Sequence, residues 1–241
     1  MQSEFGPLVV FEIPIPFTDI IIPITETVTV TWWLILFIFI ACILVTRNFE
    51  KIPKRVQNVV EMLVETITNL TKTTMGEGNV SFAPYVGTLL IFLAIANTIG
   101  IIGIRPPTAD LNTTMALSVL TFFLIHINGS RANGVGGHLK SLTEPVAFLT
   151  PINLIGEIAT PISLGFRLFG NIVGGMIIMS LVYSLLAYLS TLLFGTFGQT
   201  VPVFQFGIPI VLHCYFDLFA GLLQSFIFAM LTMVNVASAI D

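Results

Sequence analysis

Five apolar stretches dominate this chain: Thr29 to Val45, Tyr85 to Ile104, Leu111 to Ile127, Pro151 to Phe194 and Pro209 to Ile240. Together they hold only three charged residues, Glu157, Arg167 and Asp217. Backbone polar groups in hydrocarbon must be satisfied within the segment, so runs of this length and polarity fold as membrane-spanning helices. Only 9% of the 241 residues are charged, and the mean hydropathy is +0.98. That leaves too little polar surface to cover a soluble globule of this size. The expected fold is an all-α integral membrane protein with five spans.

Basic residues set the expected orientation. Arg47, Lys51, Lys54 and Arg55 follow the first span, and Trp32 and Trp33 stand near its start, where amphipathic rings settle at an interface. By the positive-inside rule this basic cluster is cytoplasmic. Counting the spans onward puts Lys72, Arg131 and Lys140 inside as well and Arg105 outside, with Arg167 left within the membrane. The N-terminus is then outside and the C-terminus inside, in a cell (inner) membrane. Residues 1–28 form an acidic outer tail carrying Glu4, Glu12, Asp19 and Glu26 without a Lys or Arg. That is the reverse of a cleavable signal peptide's positive start, and the tail is expected to be retained.

Between the first two spans, Val56, Val59, Val60, Leu63, Val64, Ile67 and Leu70 recur at three- and four-residue intervals among polar positions. This predicts an amphipathic helix over residues 54–75, lying on the cytoplasmic membrane surface or against a partner. Residues 85–127 hold the second and third spans, and 142–241 a helical hairpin. Pro151 to Phe194 as one helix would extend about 66 Å and Pro209 to Ile240 about 48 Å, against a hydrocarbon core of about 30 Å. Each must break or tilt steeply.

Polar groups within these spans are the candidate functional residues. An arginine at a span's centre costs about 2.5 to 3.5 kcal/mol on insertion scales, so it persists only where it faces protein or water. Arg167 is such a residue, with no acid at i+3 or i+4 to neutralise it. Asn171, one turn on, shares its face. Gly170 and Gly174, with Gly165 and Gly175 nearby, would admit a close helix. Glu157, ten residues earlier, either lines a water path or caps the helix start. On the last helix His213, Asp217, Gln224 and Asn235 fall within about 40 degrees of one another, which reads as a polar stripe lining a path or gluing helices. Asp110, in the turn that begins at Arg105, is either a helix N-cap or an acid at the mouth of an ion path. His126 reads as a satisfied interfacial residue, and His138 falls in a Gly-rich loop.

The residues also exclude chemistry. Cys42 and Cys214 lie in apolar runs without metal-ligand spacing, no basic face suits nucleic acid, and no nucleophile and base pair or phosphate loop is present. No cofactor and no catalysis by this chain are expected.

Pro151-Ile-Asn-Leu-Ile-Gly-Glu157, Ser163-Leu-Gly-Phe-Arg-Leu-Phe-Gly-Asn171 and Leu223-Gln-Ser-Phe-Ile-Phe-Ala-Met-Leu-Thr232 resemble the signature segments of subunit a of F-type ATP synthases, bacterial or organellar. The resemblance implies a stator subunit of a rotary machine. Arg167 would face a ring of c subunits and interact with each ring carboxylate, with Gln224 opposite the arginine. Asp217 would lie on the outer of two offset half-channels and Glu157 on the cytoplasmic one, passing H+ or Na+. The last two helices would wrap along the ring, and the implied partners include peripheral-stalk b subunits, a soluble ATPase head that does the ATP chemistry, and membrane lipid. Two positions depart from the pattern: Met176 stands where many relatives carry glutamate, and Asp217 where many carry histidine. A self-sufficient transporter or channel is the competing reading; it predicts inverted repeats, and none is evident between the halves.

Overall fold

A computed structural model describes residues 8–14, 21–47, 49–50, 56–141, 143, 148 and 150–240. Glu4, Asp19, Lys51, Lys54 and Arg55 fall outside these residues, as does the side chain of His138. Five helical stretches are long and apolar enough to cross a membrane: Glu26–Thr46, Glu77–Ile102, Leu111–Gly137, Thr150–Phe194 and Thr196–Ile240. The architecture is that of an all-α integral membrane protein.

The chain begins with an element that the acidic tail did not predict. Strands β1 (Val9–Pro14) and β2 (Ile21–Thr25) pair antiparallel, with Ile13 opposite Ile22 and Phe11 opposite Ile24. Helix α1 (Glu26–Thr46) follows, fastened mainly at its start, and buries only Thr27 and Leu34. The amphipathic helix α2 (Val56–Met75) is divided in its surroundings. Ile67 and Met75 enter a core cluster with Val86, Ile125, Met233 and Val236, whereas Val56, Val59, Met62, Leu63 and Val64 in the first half remain exposed. The second span is α3 (Ala83–Thr98), continued as a 3-10 turn over Ile99–Ile102.

Helix α4 (Leu111–Ser141) runs past the predicted end at Ile127. The Gly-rich sequence reads as a loop, yet it stays helical apart from one kink where Gly134 adopts a φ of 69°. That left-handed conformation suits a residue without Cβ. Asp110 caps α4. Its Oδ1 accepts from the Asn112 N–H at 3.0 Å and its Oδ2 from the Thr27 hydroxyl at 2.8 Å, tying α1 to the turn. Asp110→Ala should cost about 0.5–2 kcal/mol, the usual range for a lost N-cap, in thermal unfolding of the detergent-solubilised protein. Asp110→Asn keeps the cap oxygen and removes the charge, so it should transport ions at the wild-type rate; a large loss would instead mark an acid at the mouth of an ion path.

Helix α5 (Thr150–Phe194) is one unbroken helix of 45 residues with Pro161 inside it, so of the two expectations, breaking or tilting, it does not break. At about 67 Å it exceeds the bilayer and can only lie steeply inclined. A short helix α6 (Thr196–Thr200) and a 3-10 turn (Val203–Phe206) reverse the chain. The last span comprises α7 (Ile208–His213), a π-helical segment (Cys214–Ala220) and α8 (Gly221–Ile240). It runs antiparallel to α5, as the contacts at Tyr183–His213, Gly175–Phe216 and Asn171–Gln224 establish.

Helices α3, α4, α5 and α8 enclose the centre. Leu89 and Leu93 of α3 pack with Leu164 and Leu168 of α5 and Phe228 of α8. Gly221 lets α8 approach α3 closely, and Asn97 seals that contact: its Nδ2 donates to Ser225 Oγ at 2.9 Å and to the Gly221 carbonyl at 3.2 Å. Thr108 donates to Asn97 Oδ1 at 2.6 Å. All three polar side chains are buried, and each partner supplies what hydrocarbon cannot.

Candidate functional site

Leu164, Leu168 and Ile172, one turn apart along α5, are buried against the neighbouring helices. Their packing fixes the rotation of α5, because side chains four apart share a face. Arg167 is thereby turned outward, together with Ser163, Phe166 and Gly170. Among the described residues it has no hydrogen-bond or ion-pair partner.

The four glycines, expected to admit a close helix, divide into two pairs, and no described part of this chain lies close to Gly170 or Gly174. A Cβ at either would meet nothing within 4 Å. The close approaches are at Gly165, against Met115 and Ser118 of α4, and at Gly175, against Phe216. Gly170, one turn beyond Arg167, therefore leaves the surface beside the arginine open.

Asn171 and Gln224 do come together, the asparagine Nδ2 donating to Gln224 Oε1 at 2.6 Å. Gln224 is only 3% exposed, and its own Nε2 is buried without an acceptor among the described residues. The pair links α5 to α8 one turn from Arg167.

Beyond this pair, toward the end of the bundle that carries the Arg105–Asp110 turn, lies a chain of three polar groups. His213 Nδ1 is 2.6 Å from Asp217 Oδ2, and His213 Nε2 is 3.1 Å from the Tyr183 hydroxyl. Asp217 rests against Gly100, where an added Cβ would come within 3.6 Å of the carboxyl carbon. Gln205 Nε2 donates to the Tyr183 carbonyl at 2.8 Å, holding the reversal of the chain against α5. Tyr183 was not among the residues singled out from the sequence; the available signal was a phenol within an apolar helix, which needs a partner when buried.

The polar stripe is thus not one continuous line. The π-helical segment has i to i+5 bonding, and its wider turns rotate His213 and Asp217 relative to Gln224. Gln224 turns to Asn171, His213 to Tyr183, and Asn235 bonds to none of them.

On the opposite side of Arg167, Glu157 Oε2 lies 3.4 Å from His126 Nε2, joining α5 to α4. The His126 ring also meets Phe122 edge-on with centroids 4.1 Å apart. The sequence by itself reads His126 as a satisfied interfacial residue; the structure sets it against Glu157. Pro161 has no N–H for the carbonyl of Glu157, so the helix is locally short of one bond beside this acid. Along α5, Glu157 is about 15 Å from Arg167 and Tyr183 about 24 Å from it in the other direction. Two carboxylate and histidine pairs thus stand on opposite sides of one exposed arginine. No cluster of three or more potential metal ligands occurs among the described residues.

A model of the ATP synthase A chain family matches residues 28–237. The chain is 36% identical over 234 residues to "ATP synthase subunit a, sodium ion specific" of Propionigenium modestum, covering 90% of this chain and 75% of that protein. It is 32% identical over 218 residues to ATP synthase subunit a of Moorella thermoacetica, covering 90% and 91%. With ATP synthase subunit a 3 of Pelobacter propionicus the identity is 31% over 221 residues, covering 90% and 88%. The matched region contains the three middle spans whole and all but the outer two or three residues of the first and last, together with the arginine and both histidine and carboxylate pairs, and the chain belongs to the ATP synthase A chain family, the membrane-embedded, ion-translocating subunit a of ATP synthases.

Proposed function

We propose that this chain is the stator of a rotary ATP synthase, in which Arg167 meets the carboxylates of a c-subunit ring one after another while two offset paths bring ions to the ring and away from it. The observation that carries this reading is an exposed arginine midway along an apolar helix, without an acidic partner among the described residues. Such a charge is too costly to leave facing lipid, and a neighbouring protein surface that supplies a negative group satisfies it. A ring of carboxylates supplies it repeatedly, and the open surface at Gly170 and Gly174 lets the ring helices come close.

The electrostatics follow from the fixed charge. As an occupied ring site arrives, the guanidinium favours the ionised carboxylate and so the release of its cation. Once the cation has left, the arginine blocks a direct passage between the two paths. The outer path runs by Tyr183, His213 and Asp217, and the cytoplasmic path by His126 and Glu157. Asn171 and Gln224 brace the two helices beside the arginine. The N-terminus lies outside and the C-terminus in the cytoplasm of a cell (inner) membrane, a reading supported by the distribution of Lys and Arg. The hairpin of α5 and the last span faces the ring. Peripheral-stalk b subunits hold the chain still, and a soluble head performs the ATP chemistry, so this chain is not itself an enzyme. The ion is H+ or Na+; the Propionigenium modestum relative is named as sodium specific.

Purification tests the assembly. A tag on this chain is expected to bring down a ring of small hairpin proteins and a soluble ATPase. A chain that purifies alone, and passes ions in liposomes by itself, would instead be a self-sufficient channel.

A further inference from the structure

We propose that Tyr183 is a relay residue of the outer path and that the path delivers protons one at a time through Tyr183, His213 and Asp217. This rests on the reading above in one respect, that these residues lie on the ion's way to the ring. The geometry supplies the rest. Each link is within hydrogen-bond distance, 3.1 Å from the phenol to Nε2 and 2.6 Å from Nδ1 to the carboxylate. Both hydrogen bonds are part-buried between α5 and the last span.

Donor and acceptor roles fix the direction. An ionised carboxylate only accepts, so the ring proton of neutral His213 sits on Nδ1, and Nε2 accepts from the tyrosine hydroxyl. A hydronium ion that gives a proton to the tyrosine oxygen lets the phenol pass its own proton to Nε2. Nδ1 then gives its proton to Asp217 Oδ2. One proton has entered, the tyrosine and the histidine are neutral again, and the carboxylate has become a carboxylic acid that can hand the proton on. Water exchange at the part-exposed ring restores the starting tautomer. A Na+ ion has no such route, because it cannot pass through a hydrogen bond. The second shared contact is the ring packing of Tyr183 on His213, with centroids 5.9 Å apart. Tyr183→Phe keeps that contact and removes only the hydroxyl.

The test uses the whole purified complex in liposomes. In Na+-free buffer ATP should drive protonophore-sensitive acidification. Tyr183→Phe and His213→Gln should each lower its rate at least about tenfold, since positioned proton transfer contributes 10²–10⁴-fold. If the groups act in series, the double variant should be no slower than the worse single one. A merely structural role predicts additive losses and reduced recovery of the assembled complex. Tyr183→Phe pumping protons at the wild-type rate overturns the relay, as do additive losses, or Na+ uptake that persists with a protonophore while acidification is absent. Arg167→Ala distinguishes the two levels. If it still pumps, the stator reading itself is wrong; if it is inactive while Tyr183→Phe is normal, only the relay falls.

Discussion

Arg167→Ala is expected to reduce ATP-driven ion uptake by the reconstituted complex to background while leaving ATP hydrolysis by the soluble head measurable. The size of the effect follows from the charge. At about 4 Å and an effective dielectric of about 20, a guanidinium and a carboxylate attract by about 4 kcal/mol. Each 1.36 kcal/mol is a factor of ten, so removing the charge changes the ring site's release of its cation by roughly a thousandfold. The loss is double, because the same charge bars the direct passage between the paths. Each ion that leaks across 100 mV forfeits about 2.3 kcal/mol. Leu164 and Leu168 carry the packing of this part of α5, and Arg167 points away from them, so the variant should still assemble. Pumping retained by an assembled Arg167→Ala complex would refute the role.

Gly221→Val is expected to act on the fold rather than on the ion. A Cβ at Gly221 would stand 3.2 Å from the Asn97 carbonyl oxygen, 3.3 Å from the Asn97 Cβ and 3.4 Å from the Asn97 carbonyl carbon, and two of those three contacts are with the backbone of α3, which cannot turn aside. Overpacking of this kind costs about 1–3 kcal/mol. The displacement also opens the bonds that Asn97 makes to Ser225 and Thr108, and each buried group left unsatisfied costs about 1–3 kcal/mol more. Gln224 lies one turn beyond and would lose its register with Asn171. Several-fold less assembled complex and a lower midpoint of thermal unfolding are the expected measurements. Gly221→Ala, with one methyl against the same carbonyl, should be milder, and a Gly221→Val complex as abundant and stable as wild type would show that α3 and α8 have room to part.

The spans, the amphipathic helix and Arg167 were legible in the sequence for one reason: hydrocarbon tolerates few exceptions, so an apolar run of sufficient length, or one charge within it, carries information without knowledge of neighbours. The excessive length of α5 was legible on the same ground, although the choice between a break and an inclined helix was not. Local signals were weaker. The paired strands at Val9–Pro14 and Ile21–Thr25 lie in a proline-containing segment that reads as a tail, and the helical continuation of α4 through its glycines reads as a loop. In both cases pairing or helical continuity outweighed the residues' own preferences.

Only the tertiary structure decided which polar groups meet. Asn171 could be placed beside Arg167 by helical period, but its bond to Gln224 depends on the antiparallel register of two helices 53 residues apart in sequence. Tyr183 joins His213, and His126 joins Glu157, across helices whose relative rotation no period encodes. The π-helical segment at Cys214–Ala220 contains neither glycine nor proline to announce it, and it turns His213 and Asp217 away from the line drawn through Gln224. A sequence fixes what each helix can present to its surroundings; which groups then lie within 3 Å depends on side chains from separate helices packing together, and that is settled only when all of them are in place.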